Sequence, residues 1–170
     1  KELQGLLTSE EWRQRFAALH QMGADKTQFD QFVKMSKDPK MNIRRLAVVF
    51  IGLIGGKKAC EPLCEALKDE AVGVRRAAGD ALTDLGDATA MGPVIKTLKD
   101  KNKLIRWRAA RFLFEHGDES ALAALRGSQD DSEFEVRMQI LQAIERIESG
   151  KEALGTVWQQ MTSESEDKGK

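Results

Sequence analysis

The chain has 170 residues, 41% hydrophobic and 32% charged, and its 27 basic and 27 acidic side chains cancel. That balance excludes a globally basic nucleic-acid binder, though not a local basic stripe, and the apolar content suffices for one continuous core. Two cysteines form no framework and point to a reducing, cytoplasmic setting, and no apolar run approaches the ~18 residues of a membrane span, so no membrane partner is expected. No secretory signal opens the chain, which starts at Lys1 without a methionine, as a piece of a longer protein would.

Residues 1–7, KELQGLL, read as a short opening helix. Thr8 and Glu11 have the spacing of a capping box, in which hydroxyl and carboxylate satisfy the first backbone N–H groups of a helix. The following WRQRFAALHQMG, residues 12–23, looks like a shortened copy of VRRAAGDALTDLG at 74–86. Residues 27–37, with Phe29, Phe32, Val33 and Met35, supply another helix, and Asp38-Pro39 marks the turn after it.

From Asp38 the chain repeats itself. Asp38, Asp69, Asp100 and Asp131 stand 31 residues apart, and Ile43, Val74, Ile105 and Val136 keep the step, as do Arg44, Arg75, Arg106 and Arg137. Within a unit the apolar residues fall at helical spacing, as in Val74, Ala78, Ala81, Leu82 and Leu85. Gly55, Gly86 and Gly117 close three copies, where a left-handed residue ends a helix. A second helix follows, as at 88–99, with Pro62 or Pro93 early in it, where a missing N–H costs least. Each unit is thus a helical hairpin, and the fixed period predicts an all-α solenoid whose units bury their apolar faces only against neighbours.

The last copy opens with Ser132 and Glu135 as a second capping box and breaks at Ser149-Gly150. A closing helix at 151–161 then carries Trp158 and Met161 over the end of the core, and 163–170 is a polar, disordered tail. The solenoid therefore spans 1–162, with units near 1–23, 24–55, 56–86, 87–117 and 118–149.

The pattern Asp-x4-Val-Arg, then Ala-Ala-x2-Ala-Leu, a Gly and a helix bearing Pro, resembles the HEAT family, carried by Asp69, Val74, Arg75 and Pro93 and recurring from 38 to about 148. Within that family it looks like the bacterial branch named after phycobilisome lyase. This resemblance implies a right-handed superhelix of about five hairpins plus a capping helix, in which the first helix of each hairpin lines a concave surface. It is nearly silent on activity, because the family includes scaffolds, chromophore-attachment proteins and relatives of DNA-alkylation repair enzymes. A narrower likeness, to the carboxy-terminal half of the conserved virulence factor C family, rests on IRWRAARFLFEHGDESAL at 105–122 and VWQQMT at 157–162.

The recurring Asp and Arg, six residues apart, suggest a row of acids and bases but read as structural: Asp38, Arg44, Asp69, Arg75, Asp100, Arg106, Asp131 and Arg137. Each Asp can accept N–H groups at a helix start, and each Arg fork can hold an Asp of its own or the adjacent copy. Cys60 and Cys64 share a helix face, but Met91 and Ile95 replace them one copy later, which makes them core positions and not metal ligands. His20 and His116 read as satisfied, half-buried histidines. No nucleophile, carboxylate pair or ligand cluster argues for catalysis, so no catalytic residue, cofactor or metal is expected.

Positions off the apolar stripe are less bland. Arg45, Arg76, Trp107 and Met138 occupy one level, Asp80 and Arg111 another, and Arg108 and Phe114 join them. Trp, Met and several Arg make the composition of a binding surface. The expectation is a non-enzymatic scaffold that holds a protein or peptide segment on these residues. The alternative is phosphate or nucleic-acid binding by the same arginines, with Asp80 as the one carboxylate at a suitable level. Glu133, Glu135, Glu145 and Glu148 of the last unit oppose a continuous phosphate track.

Overall fold

The computed structural model describes the backbone of residues 2–167 and the side chains of residues 2–150. Among these the regular structure is helical: α1 (Glu2–Leu6), α2 (Trp12–Met22), α3 (Phe29–Met35), α4 (Met41–Ile54), α5 (Cys60–Ala66), α6 (Val72–Leu85), α7 (Met91–Thr97), α8 (Lys103–His116), α9 (Leu122–Arg126) and α10 (Phe134–Asp167). The long helices α2, α4, α6, α8 and α10 stack side by side in that order, and the short helices α3, α5, α7 and α9 each lie against a long one. The result is an α-solenoid.

The helical stripe of the sequence forms the seam between the two layers. Phe32, Ile43, Ile51, Leu63, Leu82, Phe112, Leu113, Leu125 and Ile140 are buried there in one continuous cluster. Burying one such side chain stabilises the fold by about 1.5–3 kcal/mol. Because each unit shares the seam with both neighbours, the core runs the length of the stack.

Each short helix opens with a 3-10 turn, at Lys26–Gln28, Lys57–Ala59, Ala88–Ala90 and Glu119–Ala121, where the sequence reads as plain α-helix. In three copies an aspartate causes the tightening. Asp25, Asp87 and Asp118 each accept the N–H two residues on, from Thr27, Thr89 and Ser120, at 2.9 Å. The same carboxylates accept the hydroxyls of those residues.

The expected capping boxes do not form. Thr8 donates its hydroxyl back to the Gly5 carbonyl at 3.0 Å, and Ser9 Oγ accepts the Glu11 N–H at 3.2 Å instead. At the last copy Asp131 accepts the Glu133 N–H at 3.0 Å, and α10 begins at Phe134, with no side-chain bond between Ser132 and Glu135. Gly55 and Gly86 take positive φ (66° and 65°) as expected, but Gly117 has φ −70°. There glycine is required for space, since a Cβ would collide with the Leu113 carbonyl oxygen.

The Asp and Arg rows form a ladder between successive copies. Arg44 Nε lies 2.8 Å from Asp69, Arg75 Nε 2.9 Å from Asp100 and Arg106 Nε 2.7 Å from Asp131. Each Arg also donates through its NH1 to the backbone carbonyl of its own copy's Asp, and each Asp accepts the N–H two residues ahead. A fourth rung, Arg15 to Asp38 at 2.9 Å, escapes the 31-residue step because the first copy is two residues shorter. Counting back 31 from Arg44 lands on exposed Arg13, whereas Ser9 stands in the aspartate's place and gives its carbonyl to Arg15. The far ends of the long helices are tied too: His116 Nε2 donates to the Thr83 carbonyl at 2.6 Å, and Arg146 to that of Leu113 at 3.3 Å.

The expected break at Ser149-Gly150 is absent, and α10 continues as one helix through Asp167, into the stretch read as a polar tail. Helix propagation adds one hydrogen bond per residue, so a single glycine in an established helix costs only about 1 kcal/mol. The capping role expected of Trp158 and Met161 lies outside the described side chains.

Candidate functional site

The long-helix layer carries the residues that the sequence singled out. Arg45 on α4 and Arg76 on α6 are exposed and border a groove of about 320 Å³ with Val49, Gly52, Leu53 and Asp80. The groove exists because small residues meet there: a Cβ on Gly52 would lie 2.6 Å from Ala81 Cβ, so α4 and α6 approach closely beneath it. Trp107 follows on α8, half-buried against the core, with the guanidinium carbons of Arg108 and Arg111 at 5.9 and 5.7 Å from its ring centroid. Met138 ends the row on α10, and Phe114 is half-buried on the core.

Several of these charges are already committed. Arg108 Nε binds Asp80 at 2.8 Å and its NH1 donates to the Leu104 carbonyl, while Arg111 pairs with Glu115 at 3.0 Å. Asp80, the carboxylate a repair-type reaction would need, is therefore held by Arg108. Arg45 and Arg76 have no carboxylate partner among the described residues.

One feature went unread in the sequence. The exposed large apolar residues of the described chain are Leu6, Met41, Leu53, Val72, Leu104, Phe134, Met138 and Leu141, and all but Leu6 lie on α4, α6, α8 and α10. Met41, Val72 and Phe134 keep the 31-residue step as the first residue of their helices, so the signal was present. It was hidden because an apolar residue beside a helix start reads as core.

The ladder aspartates are electrostatically settled. Burial works against the charge of Asp69, but the hydrogen bonds from Arg44 and the Ala71 N–H, with the nearby guanidinium charges, outweigh it and hold the carboxyl below its ordinary range. Asp131 is lowered in the same way, with Arg106 and the Glu133 N–H as its donors. Cys60 Sγ lies 3.2 Å from Thr89 Oγ1 and 3.9 Å from Cys64 Sγ. Burial first, then Cys60, push the Cys64 thiol up to about 12, so it stays protonated at neutral pH and is a poor nucleophile or metal ligand. Among the described residues no three His, Cys, Asp or Glu side chains are grouped to hold a metal ion, and no helix is long and apolar enough to cross a membrane.

Comparison with known proteins agrees with this architecture. Over 164 residues, 96% of this chain, it is 62% identical to the protein YpgR of Bacillus subtilis (strain 168), of which it spans 43%. A shorter match, 62% identical over 34 residues, joins 20% of this chain to 9% of conserved virulence factor C from Staphylococcus aureus (strain MRSA252). The chain thus spans less than half the length of the curated relatives it matches. In fold it is similar to the CpcE and CpcF complex of phycocyanin lyase from Nostoc sp. PCC7120, with a TM-score of 0.68 at 20% identity over 85% of this chain and 63% of that one. It is also similar to a designed armadillo repeat protein, with a TM-score of 0.55 at 20% identity over 85% of this chain and 80% of that one. The family description of HEAT repeats matches residues 1–83 and 61–145, and with the stacked hairpins and their ladder this establishes that the chain belongs to the HEAT-repeat family.

Proposed function

We propose that the protein is a non-enzymatic scaffold that binds a segment of a partner protein along its long-helix layer, between Arg45 and Met138. The observation that carries this reading is the distribution of exposed apolar side chains, confined to the long helices apart from Leu6. Exposed apolar residues on one layer, edged by unpaired arginines, have the composition of an interface.

Leu53 is the natural anchor, being 70% exposed beside the groove that Arg45 and Arg76 border. Trp107 extends the contact area with its guanidinium-flanked ring. Nucleic acid is a weaker occupant, because Arg108 and Arg111 are neutralised by Asp80 and Glu115. The experiment is photo-crosslinking in the native host, with a benzophenone amino acid placed at Leu53 or, as control, at Lys96 on α7. A discrete protein adduct is expected from position 53 alone, lost in Arg76→Glu and Trp107→Ala backgrounds. Equal labelling from both positions, or an adduct indifferent to those substitutions, would refute the assignment.

A further inference from the structure

One set of positions on α4 and α6 faces the long helix that follows. A Cβ on Gly73 of α6 would lie 3.7 Å from Arg45 Cδ and 4.0 Å from Met41 Sδ of α4. Gly52 of α4 stands against Ala81 of α6, and Gly79 of α6 against Arg108 of α8. Carried forward by the 31-residue step, these positions become Phe134, Met138, Leu141 and Glu145 of α10. Three of the four are large and apolar; Phe134 is 63% exposed, and Met138 and Leu141 are 40% exposed.

The ladder supplies an independent observation. Arg137 occupies the place of Arg15, Arg44, Arg75 and Arg106, each of which grips the aspartate of the next copy. Its NH1 already donates to the Asp131 carbonyl at 2.7 Å, as those of Arg44, Arg75 and Arg106 do to the aspartates of their own copies, so its fork is set in register. Among the described residues no carboxylate stands against it, and its guanidinium carbon lies 5.9 Å from the Phe134 ring centroid. Residues 151–167 continue α10 as helix and therefore do not turn back over the stripe as a short helix.

We propose that this face of α10 docks a helical hairpin of the same repeat kind, carried by another polypeptide. Its corner holds an aspartate for Arg137, and its facing positions are glycine or alanine, which leave room for Phe134, Met138 and Leu141. The aspartate continues a rung the chain makes repeatedly within itself, and the small facing positions continue the contact between α4 and α6, where α6 meets α4 through Gly73 and Ala81 with Asp69 on Arg44. A second copy stacked through its residues 1–23 is a poorer occupant, because Ser9 stands there where the aspartate belongs. The inference draws on Phe134, Met138 and Leu141, three of the exposed apolar side chains of the long-helix layer, but does not involve the groove beside Leu53.

The test uses the full chain as receptor and, as probe, a fluorescent peptide of residues 57–86 held in its hairpin by lactam staples on the outward faces of both helices, shown to be helical by circular dichroism before use and kept reduced. Saturable binding read by anisotropy is expected, with resonance shifts at Phe134, Met138 and Leu141. Arg137→Glu in the protein, or Asp69→Asn in the peptide, weakens it about tenfold or more, as losing one partner of a desolvated ion pair does. No saturable binding, or binding indifferent to both changes, overturns the proposal. So does concentration-dependent self-association in sedimentation that Leu141→Glu abolishes, because the face then serves a second copy.

Discussion

Asp100 serves three contacts at once. Its carboxylate takes the Arg75 fork at 2.9 and 3.1 Å and the Asn102 N–H at 2.8 Å, and its carbonyl accepts Arg106 NH1 at 2.9 Å. Asp100→Ala leaves the carbonyl contact but strands a guanidinium whose side chain is 6% exposed. Breaking one side of a buried pair is expected to cost about 3 kcal/mol, and a differential scanning experiment should show the melting temperature fall by roughly 6–12 °C. An unchanged melting temperature would mean that the rung is ornamental. The ladder also sets an acid limit. Asp69 and Asp131 are held below their ordinary range, so their stabilisation is fully present above the unfolded carboxyl value of about 3.9 and fades as pH falls through the lower folded values. Thermal stability should therefore be level in this respect from pH 7 to about 5 and decline below about 4, with a shallower decline in a variant carrying Asp69→Asn.

At the scale of helices, small residues decide how closely the layers approach. Gly52→Ala would put a Cβ 2.6 Å from Ala81 Cβ, an atom fixed to backbone, so α4 and α6 must separate. The expected cost is about 1–3 kcal/mol, which outweighs the helix propensity gained. At Gly79 the same change meets Arg108 side-chain atoms at 3.5 Å, an ordinary contact, and should be neutral or stabilising by up to about 1 kcal/mol. Urea unfolding of the two variants separates these outcomes, and a stabilised Gly52→Ala protein would contradict the close approach. Neither difference is visible in the sequence, where both glycines are interruptions of a helical pattern. The 3-10 turns are similar: Asp-x-Thr and Asp-x-Ser are plain in the sequence, but a side chain closing on the N–H two residues ahead competes with α-helix locally, and only the geometry shows which prevails.

For the molecule as a whole, periodicity made the architecture legible. A repeat of 31 residues with helical apolar spacing admits little except stacked hairpins, because no unit can bury its stripe alone. The same periodicity misled where a copy departs from it: Arg15 lies off the step, and α10 crosses the glycine at which the pattern stops. Candidate surface residues were legible as types, since Arg45, Arg76, Trp107 and Met138 break the bland composition of their row. Their standing was not. Whether an arginine is free depends on a carboxylate about one period away, and Arg108 with Asp80, 28 residues apart, is neutralised while Arg76 is not.

The sequence by itself determined the class of fold, the helical layers, the core positions and the existence of an Asp and Arg row, because all of these follow from spacing along one chain. Tertiary structure alone decided which copy each arginine grips, which charges remain free, and that the exposed apolar side chains gather on the long-helix layer and the outer face of α10. Those properties depend on distances between neighbouring units, set by how closely small residues let helices approach, and a linear spacing carries no measure of that.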